Sequence, residues 1–168
     1  MSEDKNFISR NRAALKIISL FFFFVLFFYL LFYKFIFDED ISREISTLIV
    51  VFLLNLLGIP ASADGYFINM PNFSLEVIYE CIGIWAVVVY SSFVMAYPAN
   101  LKKKLTGIAL GVPGLLVIGI VRMVSLAVIG VSYPDLWEYA HLFLWQLSLI
   151  IFVIIFLLLW IEKVVKNE

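Results

Sequence analysis

Three residues of this chain have types that could do chemistry together: Cys81, Arg122 and His141. Cys81 is the only cysteine and His141 the only histidine. A cysteine thiolate is a nucleophile, and histidine moves protons near neutral pH. A fixed arginine can stabilise first a thiolate and then the oxyanion of an acyl-transfer transition state. Cys81 stands in Tyr79-Glu80-Cys81-Ile82-Gly83-Ile84-Trp85, where a hydrophobic segment begins. Arg122 interrupts a long apolar run, and His141 opens the last one. Together they suggest a membrane-embedded thiol active site, provided that the elements carrying them bring them to one place.

Each residue also has a reading without catalysis. A buried cysteine behaves as a small hydrophobe; at a helix start, free backbone N–H groups and the dipole lower a thiol pKa. Arginine within an apolar run is costly, and it either snorkels to outer headgroups or serves as the fixed cation. His141 lies among Trp137, Tyr139 and Trp145, which would form an interfacial aromatic belt. Glu76 and Glu80 are spaced by one helical turn, and Glu80 could orient His141 or pair with Arg122. As acidic residues ahead of a helix they need no such role. Asn55, Ser91, Ser92 and Gln146 are expected to make interhelical hydrogen bonds, and Trp85, Tyr90 and the phenylalanines to pack or face lipid.

The positioning elements follow from composition. Of 168 residues, 64% are hydrophobic and 15% charged, and mean hydropathy is +1.04. That is an integral membrane protein. A net charge of −1 leaves no basic field for nucleic acid. One cysteine excludes an intramolecular disulfide or a zinc–cysteine cluster, and one histidine a multi-histidine metal site. No metal or organic cofactor is expected. The basic N-terminus and Ile17 to Tyr33 read as a retained span, since only Lys34 and Asp38-Glu39-Asp40 follow. We expect an all-α polytopic transmembrane bundle of four to five spans: one domain, residues 1–168, with its catalytic core at about 56–161.

Five apolar segments are legible: Leu15 to Phe37, Ile45 to Ile59, Cys81 to Tyr97, Leu105 to Tyr133 and Tyr139 to Ile161. Pro60 to Tyr79 is polar and rich in turn formers, and is expected as an extracytoplasmic loop at about 60–79. Lys102-Lys103-Lys104 should stay in the cytoplasm. The third segment then runs inward from Cys81 at the outer face. Arg122, 17 residues past Leu105, rises about 25 Å, close to the outer edge of a core about 30 Å thick. The fifth segment starts outside, with His141. All three residues reach one membrane level. The first two segments fit less simply. Either the N-terminus is outside against its charge, or the short Ile45 to Ile59 lies at the interface or dips in and out.

The chain has no Gly-x-Ser-x-Gly elbow, no His-Glu-x-x-His, no P-loop and no aspartate pair within the spans. The order Cys, Arg, His at the ends of successive helices resembles the exosortase/archaeosortase family of membrane cysteine transpeptidases. The resemblance covers about Leu56 to Ile161. It includes Leu57-Gly58-Ile59-Pro60, Gly65-Tyr66-Phe67-Ile68-Asn69-Met70-Pro71, Leu75-Glu76-Val77, Glu80-Cys81-Ile82-Gly83-Ile84, Val121-Arg122-Met123 and His141. Many members have a small hydroxyl residue where this chain has Ile82, and an Asn where it has Gly119.

The resemblance implies catalytic roles for Cys81 (nucleophile), Arg122 (oxyanion stabiliser) and His141 (acid–base). The implied substrates are secreted proteins with a C-terminal motif, a transmembrane helix and a basic tail. The implied acceptor is a membrane-linked amine or, failing that, water. The site would face the extracytoplasmic side of the cell membrane. The competing expectation is a non-enzymatic transporter subunit or assembly partner with Cys81 incidental; a second is a hydrolase of the same architecture.

Overall fold

The computed structural model describes residues 12–31 and 39–166. It is a helical bundle carrying a small sheet. The helices are α1 (Arg12–Leu31), α2 (Glu39–Leu56), α3 (Ile84–Ala96), α4 (Leu101–Ser132) and α5 (Pro134–Trp160), with a π-helical turn at Ile161–Val165. Among the described residues, three stretches are long and apolar enough to cross a membrane: Ala14–Leu31 of α1, all of α4, and Leu147–Val165, from α5 into the π-helical turn. The shorter α3 is equally apolar. Phe22, Phe23, Leu26 and Phe27 of α1 are exposed, which only lipid makes tolerable. The chain is a multi-pass membrane protein.

α3 is the central helix and packs on α1, α4 and α5. It is buried almost all round, from Ile84 to Ala96. α4 runs unbroken through Pro113. Tyr133 alone joins it to α5, where Pro134 occupies the first turn and its missing N–H costs nothing. At the opposite end the Trp160 indole donates to the Lys103 carbonyl at 2.8 Å, and the Lys103 ammonium donates to the Val165 carbonyl at 3.0 Å. α4 and α5 are therefore an antiparallel pair tied at the end away from Tyr133.

The expected loop at 60–79 is more ordered than its composition suggested. It forms an antiparallel meander of β1 (Ser62–Asp64), β2 (Phe67–Met70) and β3 (Phe73–Glu76), in that order across the sheet. Pro71 and Asn72 make a two-residue turn between the paired Met70 and Phe73. Ile68 and Val77 are buried with Val50 and Leu54 of α2 and Met123 and Ala127 of α4.

α2 does not read as a span. It carries four charged residues in its first turns, Glu39, Asp40, Arg43 and Glu44. It meets α4, the turn before α3, β1 and β2. Its start is tied to Glu76 and Val77 through Arg43, and its end to Ala61 through Asn55. α2 therefore lies alongside the sheet.

Candidate active site

β3 delivers Cys81. The strand continues through Val77 and Ile78 into a 3-10 turn, Tyr79–Ile82, where the Cys81 N–H donates to the Ile78 carbonyl at 2.9 Å. Gly83 ends the turn at φ 87°, a left-handed conformation that glycine adopts without strain. α3 begins only at Ile84. Cys81 is thus not the first residue of a helix, as its place in the sequence suggested, but lies in the tight turn ahead of it.

Arg43 of α2 clamps this approach. Its Nε donates to the Val77 carbonyl at 2.8 Å, its Nη2 to the Glu76 carboxylate at 2.9 Å, and its guanidinium lies 4.0 Å over the Tyr66 ring. The Tyr66 phenol is hydrogen-bonded to Asp40, and that bond, then desolvation and the Asp40 charge, hold the phenol above its ordinary pKa.

Arg122 approaches from α4. Its Nη2 donates to the Cys81 carbonyl at 2.8 Å across 41 residues. A further hydrogen bond and a charge interaction connect the guanidinium with the Cys81 side chain. Arg122 is 4% exposed and Cys81 7%. The arginine is therefore held inside the protein and does not snorkel to headgroups. Gly119, one turn earlier, makes the approach possible. A Cβ there would stand 2.8 Å from the Ile82 carbonyl oxygen, closer than van der Waals contact allows.

His141 sits in the second turn of α5, ahead of the apolar window that starts at Leu147. Its imidazole stacks on Trp137, and Trp137 packs on Phe73 of β3. Burial, and then the positive charge of Arg122, push the His141 pKa below its ordinary value. At neutral pH the ring is uncharged and can accept a proton.

These elements enclose a cleft of about 230 Å³. One wall is β3 with Val77 and Ile78, the other is Trp137 and His141 of α5, and Cys81, Met123 and Leu126 complete the lining. The structure thus brings Cys81 and His141 into one cleft, with Arg122 bonded behind Cys81.

Other expectations change. Glu76 lies in a strand and pairs with Arg43, so it shares no helical face with Glu80. The side chains of Glu80, Trp145 and Gln146 lie outside the described ones. Asn55 does not bridge helices: its amide donates to the Val51 and Ala61 carbonyls and accepts from the Ala61 N–H, closing the turn after α2. Ser92 bonds to Val88 in its own helix, and Ser91 is buried beside it. Trp137 lines the cleft. Sequence reasoning missed Trp137 and Phe73; the spacing of Trp137 four residues before His141 on a helix was the available signal.

A buried thiol, a neutral imidazole in the same cleft and a cation bonded at the thiol's own residue can generate a thiolate, move a proton and hold negative charge. No curated protein and no solved structure matches the chain. A family model described as Transmembrane exosortase (Exosortase_EpsH) matches residues 8–161, reaching further toward the N-terminus than the motifs alone. Exosortases are in general membrane transpeptidases, and this chain belongs to the transmembrane exosortase family.

Proposed function

We propose that the protein is a membrane-embedded cysteine transpeptidase that removes C-terminal sorting signals from secreted proteins at the extracytoplasmic face. The observation that carries this is the shared cleft of Cys81 and His141, with Arg122 bonded to the Cys81 main chain. The substrates are proteins with a C-terminal motif, a transmembrane helix and a basic tail.

Neutral His141 takes the Cys81 proton, and the thiolate attacks the scissile carbonyl. Arg122 stabilises the thiolate and then the oxyanion. His141 returns the proton to the leaving amine as the C–N bond breaks, leaving a thioester on Cys81. An incoming amine, membrane-linked, or failing that water, then gives its proton to His141 and displaces the thiol. The exchange is balanced without an oxidant or a cofactor.

Co-expression with a protein bearing the tripartite tail tests the reading. Cys81→Ala and Arg122→Ala should both leave the tail uncleaved, and wild type should yield a trapped thioester at Cys81. Processing by both variants at the wild-type rate would refute it. A membrane-impermeant thiol reagent should reach Cys81 from outside only; labelling solely from the cytoplasmic side would overturn the orientation.

A further inference from the structure

The sheet ends beside Cys81 with one long side open. β3 pairs only with β2 among the described residues, so its other side is an edge. The register says which groups that edge presents. The Val77 N–H donates to the Tyr66 carbonyl at 2.8 Å, which makes Tyr66 and Val77 a hydrogen-bonded pair. In an antiparallel ladder such pairs alternate with unbonded ones. Ile68 with Leu75 and Met70 with Phe73 belong to the same set. Phe73 and Leu75 therefore spend their main-chain groups on β2, and Val77 its N–H, while the Val77 carbonyl accepts from Arg43. Ser74 and Glu76 turn theirs outward.

That outward edge faces the cleft. Phe73, Ser74, Leu75 and Glu76 all line it, together with Cys81 and His141. Among the described residues, the edge's own polar side chains are engaged elsewhere. The Ser74 hydroxyl is spent on the Asn69 carboxamide within the sheet, and the Glu76 carboxylate on Arg43. Across the cleft, Trp137 holds a buried indole N–H without a hydrogen-bond partner among the described residues. An open edge and a stranded donor beside a nucleophile are groups that an entering peptide main chain would satisfy.

We infer that the substrate segment next to the scissile bond binds as an added fourth strand on the edge of β3, hydrogen-bonded to the main chain of Ser74 and Glu76. This rests on the transpeptidase reading and specifies how that site takes its substrate. Recognition is then largely of extended main chain. Alternate side chains fall toward Trp137, Met123 and Leu126, which favour small or apolar residues there.

The test uses the purified full chain in detergent and two alkylating probes with one warhead: chloroacetone, and N-acetyl-trialanyl chloromethyl ketone. In each, the Cys81 thiolate displaces chloride, and Cys81 is the only thiol in the chain. The peptide probe should alkylate Cys81 about tenfold faster than chloroacetone, since two or three edge hydrogen bonds are worth about that factor. Ser74→Pro removes the outward N–H at a position where an edge strand tolerates proline. Measured against Ser74→Ala, it should bring the ratio of the two rates close to one.

A second arm leaves the protein unaltered. N-methylation of one probe amide should remove the advantage, and N-methylation of the adjacent amide should keep it, because strand pairing has a period of two residues. A peptide advantage that survives both Ser74→Pro and every N-methylation overturns strand addition and leaves the catalytic reading standing. Failure of both probes to alkylate Cys81 in the folded protein overturns the catalytic reading itself.

Discussion

The imidazole of His141 and the indole of Trp137 stack with centroids 4.9 Å apart and planes within 14°. The two residues are four apart on α5, so the helix itself sets their spacing. Phe73 of β3 closes on the indole at 5.4 Å, and Gly130 of α4 leaves room for the Phe73 ring. His141 is thus oriented by a file of rings that starts in the sheet. Trp137→Leu should free the imidazole and slow substrate processing about ten- to a hundredfold. Alkylation of Cys81 by chloroacetone should fall far less, which separates a misplaced base from a collapsed site.

Replacing Arg122 should be costly in two ways. Arg122→Ala should reduce thioester formation about 10²- to 10³-fold, as loss of an oxyanion donor does. It also strands the buried Cys81 carbonyl, at about 1–3 kcal/mol of stability. Arg122→Lys keeps the charge but not the planar fork, so it should recover stability better than turnover. Single-turnover cleavage and thermal unfolding in detergent measure the two effects.

The pH dependence follows from His141. Its pKa is lowered by burial and by Arg122, so the neutral form persists below pH 6.5. Activity should hold at neutral pH and fall on the acid side, with its limb below the ordinary histidine value. Because the unfolded chain binds the proton more readily, stability should also decline as pH drops through 6.5. The single histidine gives one imidazole to follow by NMR. Its titration should move upward in Arg122→Met, and an unchanged midpoint would contradict the coupling.

Gly119→Ala tests the contact between α4 and the turn bearing Cys81. The new methyl would stand 2.8 Å from the Ile82 carbonyl oxygen, and backbone on both sides leaves little room to yield. A loss of about 1–3 kcal/mol is expected, seen as a lower melting temperature, with slower alkylation of Cys81 because the turn is displaced.

Arg43→Met should loosen the approach to Cys81 without touching the cleft's chemistry. The change removes a partly buried bond to Val77, a surface pair with Glu76 and a cation–π contact with Tyr66. With the surface pair discounted, about 1–2 kcal/mol is lost. Hydrogen exchange should report it as faster opening of the Val77 amide.

The convergence of Cys81, Arg122 and His141 was legible because it needed only segment lengths, three lysines and the rise of a helix. Those quantities are local, and α4 and α5 begin and end close to where the prolines and charges put them. The sheet was not legible. Its strands are three and four residues long, too short for an alternating pattern to stand out. They also depend on packing against α2 and α4, which no window of sequence contains. The same shortfall misplaced Glu76, whose helical spacing from Glu80 is cancelled by β3. Trp137 was read as a membrane-interface aromatic because nothing local reveals that Phe73, 64 residues earlier, packs on its ring.

Arg122 grips Cys81 by its carbonyl oxygen, an atom that every residue type carries. Position 81 is therefore an exchangeable socket. A side chain close to cysteine in size can be seated there with the main chain still held by the same guanidinium. Serine or selenocysteine installed at 81 would meet a largely preserved cradle, so leaving-group and nucleophile strength can be varied almost independently of geometry. The main-chain anchor of this site survives a change of its nucleophile.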